Sequence, residues 1–330
     1  MLPIVKKLIF AEVKGLFRCK SSKMAENIRH SFFYAKSPVY QLFTALLIIL
    51  VAGGMVFMAF FTGGLLFFKP DLEFLSDPSV SVTKMDISFL RYLLISQHIS
   101  LFIIPGVILI YKLKPDDGTL YGLRTPSLTE AALVIILAGC LLPLTGFTGE
   151  LNSAIHLPEW LSGLEKWMRE KENMAERLIK TVLNPDTTGS FSVNFIMIAV
   201  LPAIGEELIF RGVLQKILTR LFNSGHLAIL ITSIVFSALH LQFYGFLPRF
   251  ILGLVFGYLY FWSGTLWLPV IAHFANNAVS VILVYLQNGD IASIHDEISF
   301  WKQISLLMLP LITGIMIMIY FRRTYRKQSV

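Results

Sequence analysis

Charge and cysteine are both scarce in this 330-residue sequence. Charged side chains make up only 15% of it, against about a quarter in an average soluble domain, and there are two cysteines. We expect no disulfide, because Cys19 precedes the first apolar run and Cys140 lies within one. The first forty residues lack the short apolar core and small-residue cleavage site of a secretory signal. No H-E-x-x-H zinc motif occurs. These absences argue against a disulfide scaffold and exclude the commonest zinc protease motif.

Apolar residues dominate instead, at 55% of the chain with a mean hydropathy of +0.69. Runs long enough to cross a bilayer, about 20 residues each, recur along the chain. A spanning segment must satisfy its own backbone hydrogen bonds, and no alternating ten-residue pattern suggests a barrel. The sequence therefore predicts an all-α polytopic membrane bundle of about eight transmembrane helices. The predicted spans are 40–68, 87–111, 128–148, 191–218, 226–243, 246–262, 265–286 and 303–321.

The distribution of charge predicts how the bundle is oriented. Eight basic residues precede the first span and four follow the last, whereas the stretch 287–300 has three acidic residues and no basic one. By the positive-inside rule both termini are expected in the cytoplasm, which in a bacterial cell means a multi-pass protein of the inner (plasma) membrane. The stretch 150–186, with five basic and seven acidic residues, is then an external loop. Its apolar spacing predicts an amphipathic helix, either packed on the bilayer surface or forming a lid over a site.

These patterns divide the chain into four regions. Residues 1–39 form a basic amphipathic segment expected on the cytoplasmic side, and 40–190 hold the first three spans and the external loop. Residues 191–286 form the predicted catalytic core, and 287–330 hold the last span and a basic tail.

Three charges stand in the fourth span, in the stretch "LPAIGEELIFRGVLQ". Glu207 and Arg211 are four residues apart and can pair on one helix face, whereas Glu206 points about 100° away. Ionised groups at mid-bilayer are costly, so they are expected inside the bundle, where they form either a structural polar cluster or a functional site.

Two later spans add histidines and asparagines to this set. His240 ends the "FSALH" stretch, and "HFANN" places His273 and Asn277 four residues apart. Their depths along the spans predict that they meet Glu206 in one polar cavity, open toward the cytoplasmic half. Gln97 and His98 are polar outliers on the second span. Gly253 and Gly257 predict close helix packing and no more.

In order, "EELIFRG", "FSALH" and "HFANN" resemble the three motifs of the CAAX-protease and bacteriocin-processing family, which includes the type II CAAX prenyl endopeptidases. The lead-in "GLVFGYLYFWSGTLWLPVIAHFANN" is similar to that family too. The resemblance covers about 191–286 and implies an intramembrane endopeptidase. In that family the positions of Glu206 and His240 serve the hydrolytic water, those of His273 and Asn277 stabilise the oxyanion, and Glu207 and Arg211 match supporting positions.

The resemblance leaves the metal open. His240, His273 and Glu206 could ligate zinc as in a metalloprotease, or Glu206 could act as a metal-free base. The substrate is also open: a membrane-tethered or lipidated protein or peptide is expected, with membrane lipid as the surroundings and no nucleic acid as a partner. The oligomeric state is not predicted.

Two other functions compete with the protease. One is a non-enzymatic scaffold or bacteriocin self-immunity protein that keeps the motifs as a structural cluster. The other is a transporter with Glu206 as a proton relay, which would favour repeated halves that the sequence lacks.

Overall fold

The computed structural model describes residues 33–70, 86–113, 122–183, 188–286 and 300–325. These residues form nine helices and no strand, apart from one isolated bridge between Gly122 and Thr265. The all-α prediction is confirmed. The basic segment predicted at 1–39 lies largely outside the described residues, as do the acidic stretch near 290 and the end of the basic tail. The helices are α1 (Pro38–Phe68), α2 (Ile87–Lys112), α3 (Leu128–Ser153), α4 (Ser162–Leu183), α5 (Ser190–Phe222), α6 (Gly225–Ala238), α7 (Phe246–Ser263), α8 (Trp267–Leu286) and α9 (Phe300–Tyr325).

Seven of these helices are long and apolar enough to span a bilayer, and α4 and α6 are the exceptions. The predicted fifth span, 226–243, is wrong in its length. Helix α6 has 14 residues, about 21 Å at 1.5 Å per residue, and stops short of the roughly 30 Å hydrocarbon core. The chain turns after Ala238, with Leu241 in the left-handed region at φ 52°. The Ser237 hydroxyl bonds the Phe246 carbonyl across this turn at 2.6 Å, which ties α6 directly to α7.

Helix α5 alternates between α-helical and π-helical hydrogen bonding. The α-helical segment Leu201–Glu207 carries Pro202 and both glutamates, and π-helical segments lie on either side, at Ile196–Val200 and Leu208–Gln215. Such wide turns concentrate at functional sites because they re-aim side chains within a continuous helix.

Helices α6 and α7 approach each other closely because of glycine. A Cβ at Gly253 would lie 3.0 Å from Ser233, and one at Gly257 would lie 2.8 Å from an Ile229 methyl group. The carbonyls of these glycines accept hydrogen bonds from Arg211 at 3.1 Å and from Gln215 at 3.0 Å. The predicted close packing is confirmed, and it also anchors two buried polar side chains of α5.

Helix α4 is present, as its apolar spacing predicts, and it packs on the turn between α6 and α7. The Trp167 ring lies 5.3 Å from that of Phe243, and Glu172 accepts a bond from the Tyr244 backbone N–H at 3.3 Å. Asn152, at the end of α3, bonds the same turn through the Phe243 carbonyl and the Leu247 N–H. The turn after α6 is thereby held from two sides.

Candidate active site

Glu206 occupies the centre of the candidate site. Only 7% of its surface is exposed. His98 Nε2 lies 3.5 Å from Glu206 Oε1, and His273 Nε2 lies 3.9 Å from Oε2. Oε2 is buried and has no hydrogen-bond partner among the described residues. Glu206 is therefore flanked by imidazoles on two helices: that of His273, which the sequence predicted to share its cavity, and that of His98, which it did not.

Glu207, the adjacent residue, belongs to a closed cluster. Its Oε1 accepts from Arg211 Nη1 at 2.8 Å and from His273 Nδ1 at 2.9 Å, and neither Glu207 nor Arg211 has any exposed surface. The guanidinium also lies over the Phe236 and Phe256 rings, at 4.9 and 5.5 Å. The predicted pairing of Glu207 with Arg211 is confirmed, and the same carboxylate also holds a histidine.

His273 links the closed cluster to Glu206. Because an ionised carboxylate only accepts hydrogen bonds, Nδ1 donates to Glu207, and Nε2 is left facing Glu206. The ring is stacked on Phe256 at 5.3 Å, with Phe236 edge-on at 6.0 Å. Its orientation is therefore determined by two aromatic rings and one hydrogen bond.

His240 lies two residues beyond the end of α6, not on a spanning helix as the sequence predicted. Its Nδ1 donates to the Phe236 carbonyl at 2.8 Å, so Nε2 is the nitrogen left for other partners. The ring contacts Phe236 edge to face at 5.1 Å. In the F-x-x-x-H motif, the backbone carbonyl and the ring of the phenylalanine thus both position the histidine ring.

Asn277 is positioned by a proline on another helix. Pro202 lacks the N–H that would otherwise reach the Ile198 carbonyl four residues back, and Asn277 Nδ2 donates to that carbonyl at 3.1 Å. The amide nitrogen carries two N–H groups, so one remains for another acceptor. Asn276 Nδ2 donates in turn to Asn277 Oδ1 at 3.3 Å.

These side chains line one cavity of about 220 Å³. The structure thus brings together Glu206, His240, His273 and Asn277, while Glu207 and Arg211 lie behind the wall. Of the lining residues only His240 is exposed, so the cavity reaches the surface beside it. The full lining is His98, Pro202, Glu206, Phe236, His240, Arg249, Leu252, Phe256, His273, Asn276 and Asn277.

The cavity opens at the end of the bundle where α4 lies, since His240 belongs to the turn that α4 covers. The sequence predicted that α4 and the opening face opposite sides of the membrane, and this combination is wrong. The error came from measuring depth along a fifth span that continues through residue 243. Because α6 ends at Ala238, His240 lies at the α4 end of the bundle.

Two lining residues with titratable side chains, His98 and Arg249, were absent from the predicted site. His98 was noted only as a polar outlier on the second span, although polarity in such a span is itself a sign of function. Arg249 interrupts the apolar stretch "FLPRFILG" and carried the same signal. Neither residue belongs to one of the three motifs. Only the packing of α2 and α7 against α5 places them at the cavity.

The possible zinc at Glu206, His240 and His273 stays a prediction. Among the residues that the structure describes, no three His, Cys, Asp or Glu side chains are grouped to hold an ion. His273 directs Nδ1 at Glu207, and His240 directs Nδ1 at a backbone carbonyl. Both rings keep Nε2 for another partner, as zinc-ligating histidines do, so these contacts do not exclude zinc.

Comparison with known proteins places the three motifs in one matched region. Residues 188–279 match the family model described as type II CAAX prenyl endopeptidase Rce1-like. This segment of the chain is Rce1-like. It contains Glu206, Arg211, His240, His273 and Asn277, together with Arg249, whereas His98 and α4 lie outside it. The match and the seven apolar helices support an integral membrane protein.

A curated protein of Bacillus subtilis (strain 168), "Uncharacterized protein YpbD", is 33% identical over 90 residues. The match covers 26% of this chain and 43% of that relative, so the chain spans less than half of its length. No solved structure matches the chain. The regions outside the Rce1-like segment are therefore described by their own geometry alone.

Proposed function

We propose that this protein is an intramembrane endopeptidase that hydrolyses a peptide bond of a membrane-associated protein or peptide. The observation that carries the proposal is the convergence of Glu206, His240, His273 and Asn277 on one cavity inside the Rce1-like segment. Peptide hydrolysis needs a base for water and donors where negative charge develops, and this set of side chains supplies both.

Glu206 activates the water. Its Oε2 is buried without a protein donor, so it is an acceptor for a water proton. The cavity of about 220 Å³ has room for a water, which takes about 30 Å³ in the liquid, and for the carbonyl of a peptide. His240 Nε2 orients the same water, since its Nδ1 is already engaged with the Phe236 carbonyl.

Asn277 and His273 stabilise the oxyanion that forms when the water oxygen attacks the carbonyl carbon. Asn277 donates through its second N–H, and His273 donates from Nε2 when its ring is an imidazolium, whose charge the Glu207 carboxylate balances. The proton taken by Glu206 then passes to the leaving amine as the C–N bond breaks. Glu207 holds the His273 ring and Arg211 holds Glu207, and neither lines the cavity, so both act as positioning residues.

The surroundings of this reaction follow from the bundle. The substrate is a membrane-tethered or lipidated chain that reaches the cavity beside His240, at the α4 end. We propose the inner membrane of a bacterium, with both termini in the cytoplasm, as the basic residues at both ends predict.

The test is cleavage of a panel of membrane-tethered peptides by purified protein in lipid nanodiscs. Glu206→Gln keeps the shape of the side chain and removes the base, so the rate should fall by at least about 10²-fold while folded yield stays near normal. Glu176→Gln is the matched control, because Glu176 is exposed on α4 and pairs with Lys180. Its rate should equal that of the unmodified protein.

The alternative is a scaffold or self-immunity protein in which the polar residues only hold helices together. It predicts that no peptide in the panel is cleaved and that Glu206→Gln lowers folded yield as much as Arg211→Ala. That pair of results would replace the protease proposal.

Metal dependence is tested separately, with protein purified without added metal. On the proposed glutamate-water mechanism, dialysis against a chelator should leave the cleavage rate within about twofold. If activity vanishes and returns with equimolar zinc, while His240→Ala and His273→Ala each fail to bind zinc, those histidines are ligands. Glu206 would then not be a metal-free base, although the reaction would remain peptide hydrolysis.

A further inference from the structure

Arg249 is a charged residue of the cavity that the proposed hydrolysis does not use. It is the fourth residue of α7 and lines the cavity with Glu206 and His240. Its guanidinium donates to the Gln242 carbonyl at 3.3 Å through Nη1 and to the Gln242 side-chain oxygen through Nη2. Of the five N–H groups of an arginine, three are left for other acceptors.

No carboxylate among the described residues lies within 4 Å of this guanidinium. Glu206 and Glu172 are close enough to attract it, but neither forms an ion pair with it. Arg211, by contrast, is paired with Glu207 at 2.8 Å. The positive charge of Arg249 is thus balanced by no side chain in contact with it, in a helix apolar enough to span a bilayer.

The backbone position makes a purely structural role a poor explanation. Arg249 lies in the first turn of α7, where the helix dipole disfavours a cation. A neutral amide could hold Gln242 equally well. Gly245 leaves room for the guanidinium in this position, since a Cβ there would lie 2.3 Å from Nη1.

An unpaired guanidinium at the edge of a peptide-binding cavity has a natural ligand in a carboxylate, which it can bind through two parallel hydrogen bonds. We propose that Arg249 binds a carboxylate of the peptide substrate and thereby determines which bond is placed over Glu206. This rests on the proposed endopeptidase function. The carboxylate has two sources in a peptide, the free C-terminus and an Asp or Glu side chain.

The experiment uses a membrane-tethered peptide that the full-length protein cleaves in nanodiscs. It is compared with a version ending in a C-terminal amide and with a version whose acidic side chains are changed to Asn or Gln. One of the two neutralised versions should show a KM about 10- to 100-fold higher with similar kcat, and which one does so identifies the carboxylate. This comparison needs no variant, so it does not depend on a variant folding.

Arg249→Gln should raise the KM of the carboxylate peptide to that of the neutral version and leave the neutral version unchanged. Arg249→Lys keeps the charge, so its KM for the carboxylate peptide should lie between those of the unmodified protein and Arg249→Gln. Arg177→Gln, an exposed arginine of α4, is the matched control and should change nothing.

Three results would overturn the inference. Equal KM for charged and neutral peptides would mean that no carboxylate is recognised. An equal fall in kcat on every peptide in Arg249→Gln would make Arg249 a positioning residue for the turn that carries His240. If no peptide is cleaved at all, the proposed function itself fails and the inference with it.

Discussion

Two arginines of this bundle, Arg211 on α5 and Arg249 on α7, face opposite situations. Arg211 has no exposed surface, pairs with Glu207, bonds the Gly253 carbonyl and lies over two aromatic rings. Arg249 is partly buried at the edge of the cavity, and its two hydrogen bonds within the described part of the chain are both to Gln242. The same side chain is neutralised within the protein in one place and faces a cavity in the other.

The contrast shows how a membrane protein separates structure from recognition. A buried charge that is paired and bonded supports the fold, because removing its partner leaves a charge without compensation. A charged side chain that lines a cavity and has no paired partner can instead bind a ligand of opposite charge. Glu207 and Glu206 repeat the contrast one residue apart. Oε1 of Glu207 accepts two short hydrogen bonds, whereas the imidazole nitrogens nearest to the Glu206 oxygens lie 3.5 and 3.9 Å away.

The largest effect is expected where a charged partner is removed from the closed cluster. Arg211→Ala leaves Glu207 buried without its guanidinium and should destabilise the fold by about 3 to 5 kcal/mol. Folded yield, measured by size-exclusion chromatography of a fluorescent fusion, should fall sharply. Arg249→Ala is the control and should keep most of its yield. Equal losses in the two variants would break the comparison, because Arg249 would then be structural too.

An intermediate effect is expected at His98, which approaches Glu206 from outside the Rce1-like segment. His98→Leu removes the imidazole whose Nε2 lies 3.5 Å from Glu206 Oε1, a polar contact rather than a hydrogen bond, and should lower kcat by up to about 10-fold. His98→Gln, which can still donate, should recover most of the rate. Stability should change little in either variant, since His98 is partly buried. Unchanged kcat in His98→Leu would confine the site to the three motifs.

The smallest effect is expected at Arg169 on α4. This arginine forms an exposed ion pair, which serves as a reference for the buried Arg211 and the cavity-lining Arg249. It bonds Glu165 at 2.8 Å, and this bond, with those from His156 and the Leu157 N–H, lowers the pKa of Glu165 to about 2. The pKa of Glu165 is lower in the folded than in the unfolded chain. The stabilisation that the ion pair gives is therefore fully present above the unfolded pKa of about 4.3, and it is lost as the pH falls through about 2.

Glu165→Gln should therefore speed hydrogen exchange at the start of α4 slightly at pH 6, and the difference should vanish near pH 2. The exposed position screens the pair, so global stability should not change measurably. A large loss of stability in Glu165→Gln would show that α4 is not a peripheral helix.

Much of the site follows from local spacing along a helix. Residues four apart share a face, which is why Glu207 and Arg211 pair as predicted and why His273 and Asn277 line one cavity. The free-energy cost of exposing polar side chains to lipid also predicts that these groups face the inside of the bundle. Local spacing failed at His240, where an apolar run continued past the end of its helix. With it failed the length of the fifth span and the predicted position of the cavity opening relative to α4.

The sequence by itself determined the all-α membrane bundle, the boundaries of most helices, the pairing of Glu207 with Arg211 and the resemblance of its three motifs to a protease family. Hydropathy and helical periodicity are properties of neighbouring residues, so they can be recognised in one chain without its fold. Only the tertiary structure decided that His98 and Arg249 join the cavity, that Glu207 holds His273, that Pro202 leaves a carbonyl for Asn277, and that α4 lies over the open end. Each of these contacts joins helices far apart in sequence, and their meeting depends on how α2, α5, α7 and α8 pack, which no spacing along the chain encodes.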